Sequence, residues 1–116
     1  MIEKAIAQAR QMPYVQGERR VFSIVVDKKG KVLGQGSNSY TKSHPIQAHY
    51  AELVGLEDKI FLHAEMAAMV RCRGGEPHKI YIARVDSEGE PMYAAPCPIC
   101  SMAIKAAGIV SVEYTT

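Results

Sequence analysis

Apolar residues recur along the chain in short blocks, and their spacing alternates between that of a helix and that of a strand. Several blocks place apolar residues on one helical face, and the first of them ends at Pro13. Others are rich in Val, Ile and Tyr, which is typical of buried strands. The predicted helices are residues 2–12, 46–53, 64–72 and 99–107, and the predicted strands are residues 21–26, 31–37, 79–84 and 109–114.

The order of these elements predicts a three-layer α-β-α fold of the α/β class. The turn at residues 27–30 joins the first two strands into a hairpin, and helical crossovers join the later ones. We therefore expect a mixed sheet of four to five strands flanked by helices. A length of 116 residues suits one core, so residues 1–116 are expected to be a single domain. Residues 38–62 are the least regular, which is typical of a lid or a binding loop.

Composition and charge limit the kinds of partner and the cellular location that we expect for this protein. The chain is 47% hydrophobic and 22% charged, which is ordinary for a globular protein. No apolar run reaches the ~18–20 residues of a membrane span, and the first residues lack a secretory signal, so we expect a cytoplasmic protein. The net charge is only +2 and the basic residues are scattered, which argues against a long polynucleotide partner. Arg19-Arg20 and Lys28-Lys29 are expected to be solvated positions beside a strand.

Three side chains in the second half of the chain have the types and positions of zinc ligands. Cys97 and Cys100 begin a predicted helix, where unpaired N–H groups and the helix dipole favour thiolates. His63 stands at the start of the preceding predicted helix. If these two helix starts converge on the sheet, one imidazole and two thiolates provide three ligands for tetrahedral zinc. The fourth position then stays open to water, as in catalytic sites.

The presence of Glu65 bears on whether the predicted zinc site is catalytic or structural. It follows His63 by two residues, where a carboxylate can take a proton from a metal-activated water and pass it on. A carboxylate at a helix start can also simply interact with the helix dipole. A closed structural site would need a fourth ligand, and none lies at close spacing. The complete set favours catalysis, with structural zinc as the alternative.

These motifs resemble those of a known family. H-A-E at residues 63–65 and P-C-P-I-C at residues 96–100 match the signature of the zinc nucleobase deaminases, H-x-E followed by P-C-x-x-C. Residues 62–68 and 106–114 are most similar to the cytidine and deoxycytidylate deaminase branch. Asn38 ends a predicted strand where that family has an asparagine that binds the sugar. The resemblance runs from about residue 20 to the end and implies the cytidine deaminase-like fold.

The resemblance implies a metal and a reaction. One catalytic zinc ion would be held by His63, Cys97 and Cys100, and water activated there would attack C4 of a cytosine ring. Glu65 would take the proton of the water, protonate the ring and help ammonia to leave. Some deoxycytidylate deaminases carry a second, structural zinc. We do not expect one here, because Cys72 is more simply a buried free thiol.

The resemblance also implies contacts to the substrate. The N–H of Ala64 would hold the base carbonyl, the carbonyl of Ala95 would accept a hydrogen bond from the leaving amine, and Asn38 would bind the sugar. Relatives often have a hydroxyl or an acidic residue where this chain has Ala95. Residues 41–44 combine a cation, hydroxyls and His44, so this loop is a candidate phosphate contact. A solvated loop is the alternative.

The favoured function is hydrolytic deamination of a free cytosine nucleotide or nucleoside, with a deoxycytidylate-type monophosphate first. One alternative is a base within single-stranded nucleic acid, or a purine; a nucleic-acid substrate would call for a basic groove and aromatic stacking surfaces. Another alternative is a zinc-stabilised binding module without catalysis. The family commonly assembles into oligomers, so we expect a homo-oligomer. We expect no membrane partner.

Overall fold

The computed structural model describes residues 1–55 and 62–116, which form four helices and five strands. The helices are α1 (Ile2–Gln11), α2 (Pro45–Leu53), α3 (Ala64–Val70) and α4 (Pro98–Ala106). The strands are β1 (Arg20–Val26), β2 (Val32–Ser37), β3 (Lys79–Val85), β4 (Pro91–Met92) and β5 (Ser111–Tyr114). Each predicted element is present and ends within about two residues of its predicted bounds. Strand β4 was not predicted. No described helix is long and apolar enough to span a membrane.

The strands form one mixed sheet. β1 lies between β2 and β3 and is antiparallel to both, so the predicted hairpin of β1 and β2 is confirmed. β5 is parallel to the first half of β3, and β4 is antiparallel to its last two residues. The Asp27 carboxylate closes the hairpin turn by accepting hydrogen bonds from the backbone N–H groups of Lys29 and Lys31, each at 2.9 Å. Lys28 and Lys29 are exposed, as predicted.

Helices cover both faces of the sheet, which confirms the three-layer prediction. On one face, which we call the α1 face, Ala5 of α1 packs on Ile24, Val26 and Ala83. On the other, the α3 face, α3 packs on β1 and β2, α4 lies beside α3, and α2 packs against α4. Alternate residues of each strand point to opposite faces. The core of the α3 face is formed by Val25, Ala68, Ile80, Ile82, Ile104 and Ile109.

Two glycines let α3 lie directly on β2. A Cβ atom at Gly34 would overlap the carbonyl oxygen of Ala68, and one at Gly36 would lie 2.6 Å from the Cβ of Ala67. Real Cβ atoms do not approach other atoms this closely, so a side chain at either position would displace α3 from the sheet. The second half of α3 is therefore held directly against the backbone of β2.

Arg20 corrects one expectation from the sequence. It is only 7% exposed, and its guanidinium donates hydrogen bonds to the carbonyl oxygens of Arg10, Met12 and Asp86. The prediction that Arg19-Arg20 is a solvated pair is therefore wrong for Arg20, although Arg19 is exposed. Adjacent strand residues point to opposite faces, so Arg20 lies against the end of α1 and Arg19 points the other way.

Candidate active site

The three predicted metal ligands lie together where two helices begin. His63 directly precedes α3, and Cys97 directly precedes α4, whose first turn contains Cys100. Pro98 suits the first position of α4, because its missing N–H has no partner there in any helix. The Nδ1 atom of His63 lies 3.3 Å from the sulfur of Cys100 and 3.5 Å from that of Cys97. The predicted convergence of the two helix starts is confirmed.

This group has the dimensions of a zinc site. Zinc binds nitrogen at about 2.0–2.1 Å and sulfur at about 2.3 Å, so tetrahedral angles place a nitrogen and a sulfur ligand about 3.5 Å apart. The two distances from His63 match that separation, and all three ligand atoms lie within 4.8 Å of one another. Within residues 1–55 and 62–116, no other group of His, Cys and acidic side chains meets this criterion. Three protein ligands leave a coordination position for water.

The two thiols shift each other's pKa in opposite directions. A hydrogen bond from the Cys100 thiol, helped by His63, lowers the pKa of Cys97 to about 4. The same hydrogen bond, together with burial, raises the pKa of the Cys100 thiol above its ordinary range. The lowered pKa favours the thiolate form of Cys97, which is the form in which a cysteine binds a metal. A cation bound between the two sulfurs would favour the second thiolate as well.

Glu65 lies beside this group in the first turn of α3. The residue is 6% exposed, and burial raises the pKa of its carboxyl, against the opposing effects of the backbone and of His63. A buried carboxyl with a raised pKa can both accept and return a proton near neutral pH. The position has the electrostatics of a general acid and base.

Gln47 holds the backbone of His63 and was missed by the sequence analysis. It is fully buried in α2, and its side-chain oxygen accepts a hydrogen bond from the N–H of His63 at 3.3 Å. The glutamine therefore ties the start of α3 to α2. The residue lies in the irregular part of the sequence, sixteen positions before His63, so no spacing rule connects the two.

A cavity of about 400 Å³ opens next to Glu65. It brings together six of the predicted site residues, while Cys100 is buried. His44 is not among the described residues that line it: its Nδ1 atom accepts a hydrogen bond from the N–H of Ile46 at 3.1 Å and thereby caps α2. The predicted residues that line the cavity are Asn38, His63, Ala64, Glu65, Ala95 and Cys97.

The side chain of Asn38 is bound to the backbone of β1. Its oxygen accepts from the N–H of Val21 and its nitrogen donates to the carbonyl of Arg19, both at 3.0 Å. An amide side chain has two donor hydrogens and two acceptor positions, so one of each is left. Asn38 thus fixes the end of β2 against β1 and still faces the cavity.

Five polar or aromatic residues of the cavity wall were not predicted as site residues. Arg19 directly precedes β1, and Arg84 lies in β3. Ser39 and Tyr40 come from the loop after β2, and Tyr93 follows β4. Strand alternation gives the signal that could have found the arginines. Val21 pairs with Arg84, and both point to the α3 face, as does Arg19 two residues earlier.

Cys72 does not belong to the metal group. Its thiol is free and half-buried, and it donates a hydrogen bond to the carbonyl of Ala68 at 3.5 Å. Burial raises its pKa above the ordinary value. It is a packed thiol just after the end of α3 and is less buried than expected.

Comparison with known proteins agrees with this geometry. The family model of the cytidine and deoxycytidylate deaminase zinc-binding region matches residues 1–116. The chain belongs to this family. It is a zinc-dependent deaminase, a hydrolase, and the group of His63, Cys97 and Cys100 fits the zinc ion of such an enzyme.

Solved structures show the same fold. A crystal structure of a mutant cytidine deaminase from Mycobacterium tuberculosis is 20% identical to this deaminase, with a TM-score of 0.58, covering 98% of this chain and 80% of that one. The apo dCMP deaminase of the cyanophage S-TIM5 is 24% identical, with a TM-score of 0.56, covering 97% of this chain and 80% of that one. No curated protein matches the chain. The predicted fold class is confirmed.

Proposed function

We propose that this deaminase removes the exocyclic amine of a free cytosine nucleotide or nucleoside as ammonia, with a deoxycytidylate-type monophosphate as the favoured substrate. One observation carries the proposal: the buried Glu65 borders a cavity of about 400 Å³ together with His63 and Cys97, two members of the metal group. This volume lies at the lower end of the range of small-molecule sites.

The proton transfers are assigned to Glu65. Zinc held by the three ligands would lower the pKa of a water molecule at the open position and so supply the nucleophile. Glu65 would accept a proton from this water and deliver it to the ring nitrogen. It would then take the second proton, from the hydroxyl formed at C4, and deliver it to the departing amine, which leaves as ammonia. Burial raises the pKa of Glu65, and this supports the role, because a carboxylate with a raised pKa is a stronger proton acceptor.

Backbone groups are assigned to the base. Ala64 is the first residue of α3, and the first N–H groups of a helix have no partner within it. Its N–H can therefore donate to the carbonyl oxygen of the base. Ala95 also lines the cavity, and we assign its carbonyl as the acceptor of a hydrogen bond from the amine. Cytosine has both a carbonyl acceptor and an amine donor for these two contacts, whereas uracil lacks the amine donor.

The sugar is assigned to Asn38. One hydrogen and one acceptor position of its amide stay available on the cavity side after the two bonds to β1. A sugar hydroxyl can both donate and accept, so it can pair with either. The bonds to β1 would hold the amide in place before the substrate arrives, which reduces the entropy lost on binding.

A substrate panel tests the proposal. The zinc-loaded protein is given cytidine, deoxycytidine, their monophosphates, adenosine and a single-stranded oligonucleotide containing deoxycytidine, and ammonia release is measured. We expect turnover of the free cytosine compounds, and none with chelator-treated protein. Zinc-loaded protein that releases no ammonia from any of them contradicts the proposal, and turnover of the oligonucleotide alone supports the nucleic-acid alternative.

A further inference from the structure

Two arginines border the cavity without a carboxylate partner. Arg19 and Arg84 both line its wall. The ion pairs found among the described residues join Glu3 to the N-terminus and Lys79 to Glu113, so neither arginine takes part in one. Glu65 is the acidic residue among the described lining residues, and it lies buried beside the metal group. The wall formed by the strand ends is therefore cationic.

The sheet register sets the two guanidinium groups on one face. Val21 pairs with Arg84 across β1 and β3, and Arg19 precedes Val21 by two residues. The two arginines occupy diagonal cross-strand positions, which lie about 7–8 Å apart at the backbone and within reach of long side chains. The N–H of Arg19 donates to the Tyr40 hydroxyl at 2.8 Å, and the Arg19 carbonyl accepts from Asn38, so its backbone is fixed on both sides.

We propose that Arg19 and Arg84 form a phosphate subsite that makes this deaminase select nucleoside monophosphates over nucleosides. The inference rests on the proposed function and assigns the residues that bind the phosphate. A phosphate monoester carries nearly two negative charges at pH 7, and guanidinium groups bind its oxygens in a planar, two-donor geometry. Asn38, to which the sugar is assigned, donates a hydrogen bond to the carbonyl of Arg19, so the proposed sugar and phosphate contacts are neighbours.

The loop of residues 41–44 does not provide this subsite. None of these residues is among the described residues that line the cavity. Instead, the Ser39 hydroxyl accepts hydrogen bonds from the N–H groups of Thr41 and Lys42, which folds the loop into a local turn. The cationic part of the cavity wall belongs to the sheet, where side-chain positions are set by the strand register.

Product binding tests the subsite without requiring turnover. Calorimetry on the zinc-loaded protein compares deoxyuridine monophosphate with deoxyuridine, which differ only in the phosphate. We expect the monophosphate to bind at least about 30-fold more tightly, because charge-assisted hydrogen bonds contribute about tenfold or more each. Arg19→Gln and Arg84→Gln should each lower this ratio by about tenfold, and the double variant should bring it close to one.

Arg73→Gln is the matched control, because Arg73 is exposed and outside the described cavity wall. It removes the same charge and should leave the ratio unchanged. Arg19→Lys and Arg84→Lys keep the charge and should retain part of the ratio, which also covers the case in which a glutamine variant fails to fold.

A ratio near one in the unaltered protein, or a ratio that persists in the double variant, overturns the subsite. The proposed function is judged separately, by whether the unaltered enzyme turns over deoxycytidine or its monophosphate. Turnover with a ratio near one removes the subsite alone. A phosphate preference that depends on the arginines, without turnover of any cytosine compound, supports the subsite and removes the proposed function.

Discussion

The two faces of the sheet use similar polar residues in different ways. On the α1 face, Arg20 is buried, and its guanidinium donates hydrogen bonds to three carbonyl oxygens of the chain itself. On the α3 face, the neighbouring Arg19 is exposed and borders the cavity together with Arg84. On the α1 face the two terminal nitrogens of the arginine thus bind carbonyl oxygens of the chain, whereas the α3 face leaves polar groups directed to a cavity. The residue type alone does not distinguish a structural arginine from one that borders the cavity. The face of the sheet on which the residue lies does distinguish them.

The largest expected effect is on the α3 face. Glu65→Gln keeps the shape of the side chain but removes the group that accepts and returns protons, so kcat should fall by about 10²–10⁴-fold. Zinc content and melting temperature should stay close to those of the unaltered protein, because the substitution leaves the three metal ligands in place. Steady-state kinetics, metal analysis and thermal unfolding measure the three quantities.

Glu76→Gln serves as the control for Glu65→Gln, since Glu76 is exposed and outside the cavity wall described above. It should retain full activity. A Glu65→Gln protein that binds zinc and turns over at the normal rate would refute the assignment of proton transfer to Glu65.

The next effect is on the α1 face and concerns stability. Arg20→Met keeps the apolar stem but leaves three carbonyl oxygens without their donor, and we expect a loss of about 2–4 kcal/mol in the free energy of unfolding. The same substitution at the exposed neighbour, Arg19→Met, should change stability by less than about 0.5 kcal/mol. Urea unfolding of both variants measures the contrast, and equal losses would show that the two faces do not differ as described.

The smallest effect belongs to an exposed pair on β3 and β5. The Lys79 ammonium lies 3.0 Å from the Glu113 carboxylate, and this hydrogen bond raises the pKa of Lys79 above its ordinary value of 10.5. A raised lysine pKa stabilises the fold below the unfolded value, and the contribution is lost as the pH rises through the folded one. Glu113→Gln should therefore lower the melting temperature by about 1–2 °C at pH 8.

At pH 11.5 the difference between Glu113→Gln and the unaltered protein should shrink toward zero. Glu88→Gln, at an exposed turn position, controls for the loss of one negative charge. A difference in melting temperature that grows with pH would contradict the prediction, because the pair would then stabilise the fold more as Lys79 loses its proton.

Much of the fold and the metal group could be predicted because their signals are local. Val, Ile and Tyr blocks mark the strands, and a proline at the start of α4 with a glycine after its end marks that helix. The spacing within H-A-E and P-C-P-I-C places the ligands on two helix starts, and the structure brings them together. The two-residue strand β4 was missed because Pro91–Met92 is too short to show any periodicity.

The rest of the cavity depends on contacts between distant parts of the chain. Gln47 reaches His63 from α2, and Arg19 meets Arg84 only through the register of β1 and β3. The mistaken exposure of Arg20 has the same origin, because its acceptors lie at the end of α1 and in the turn before β4. A one-dimensional pattern shows that these positions are polar but not which face they occupy.

The contact of Gly34 and Gly36 with α3 bears on the kinetics of metal uptake. The glycines fix α3 on the sheet through backbone contacts, and α4 packs beside it, so the ligands from the two helices are carried by elements that are already docked. Zinc should then enter a preformed site, and its association rate should depend on loss of hydration water and on access through the cavity, without a folding step. Stopped-flow zinc binding should consequently be a single phase whose rate rises linearly with zinc concentration.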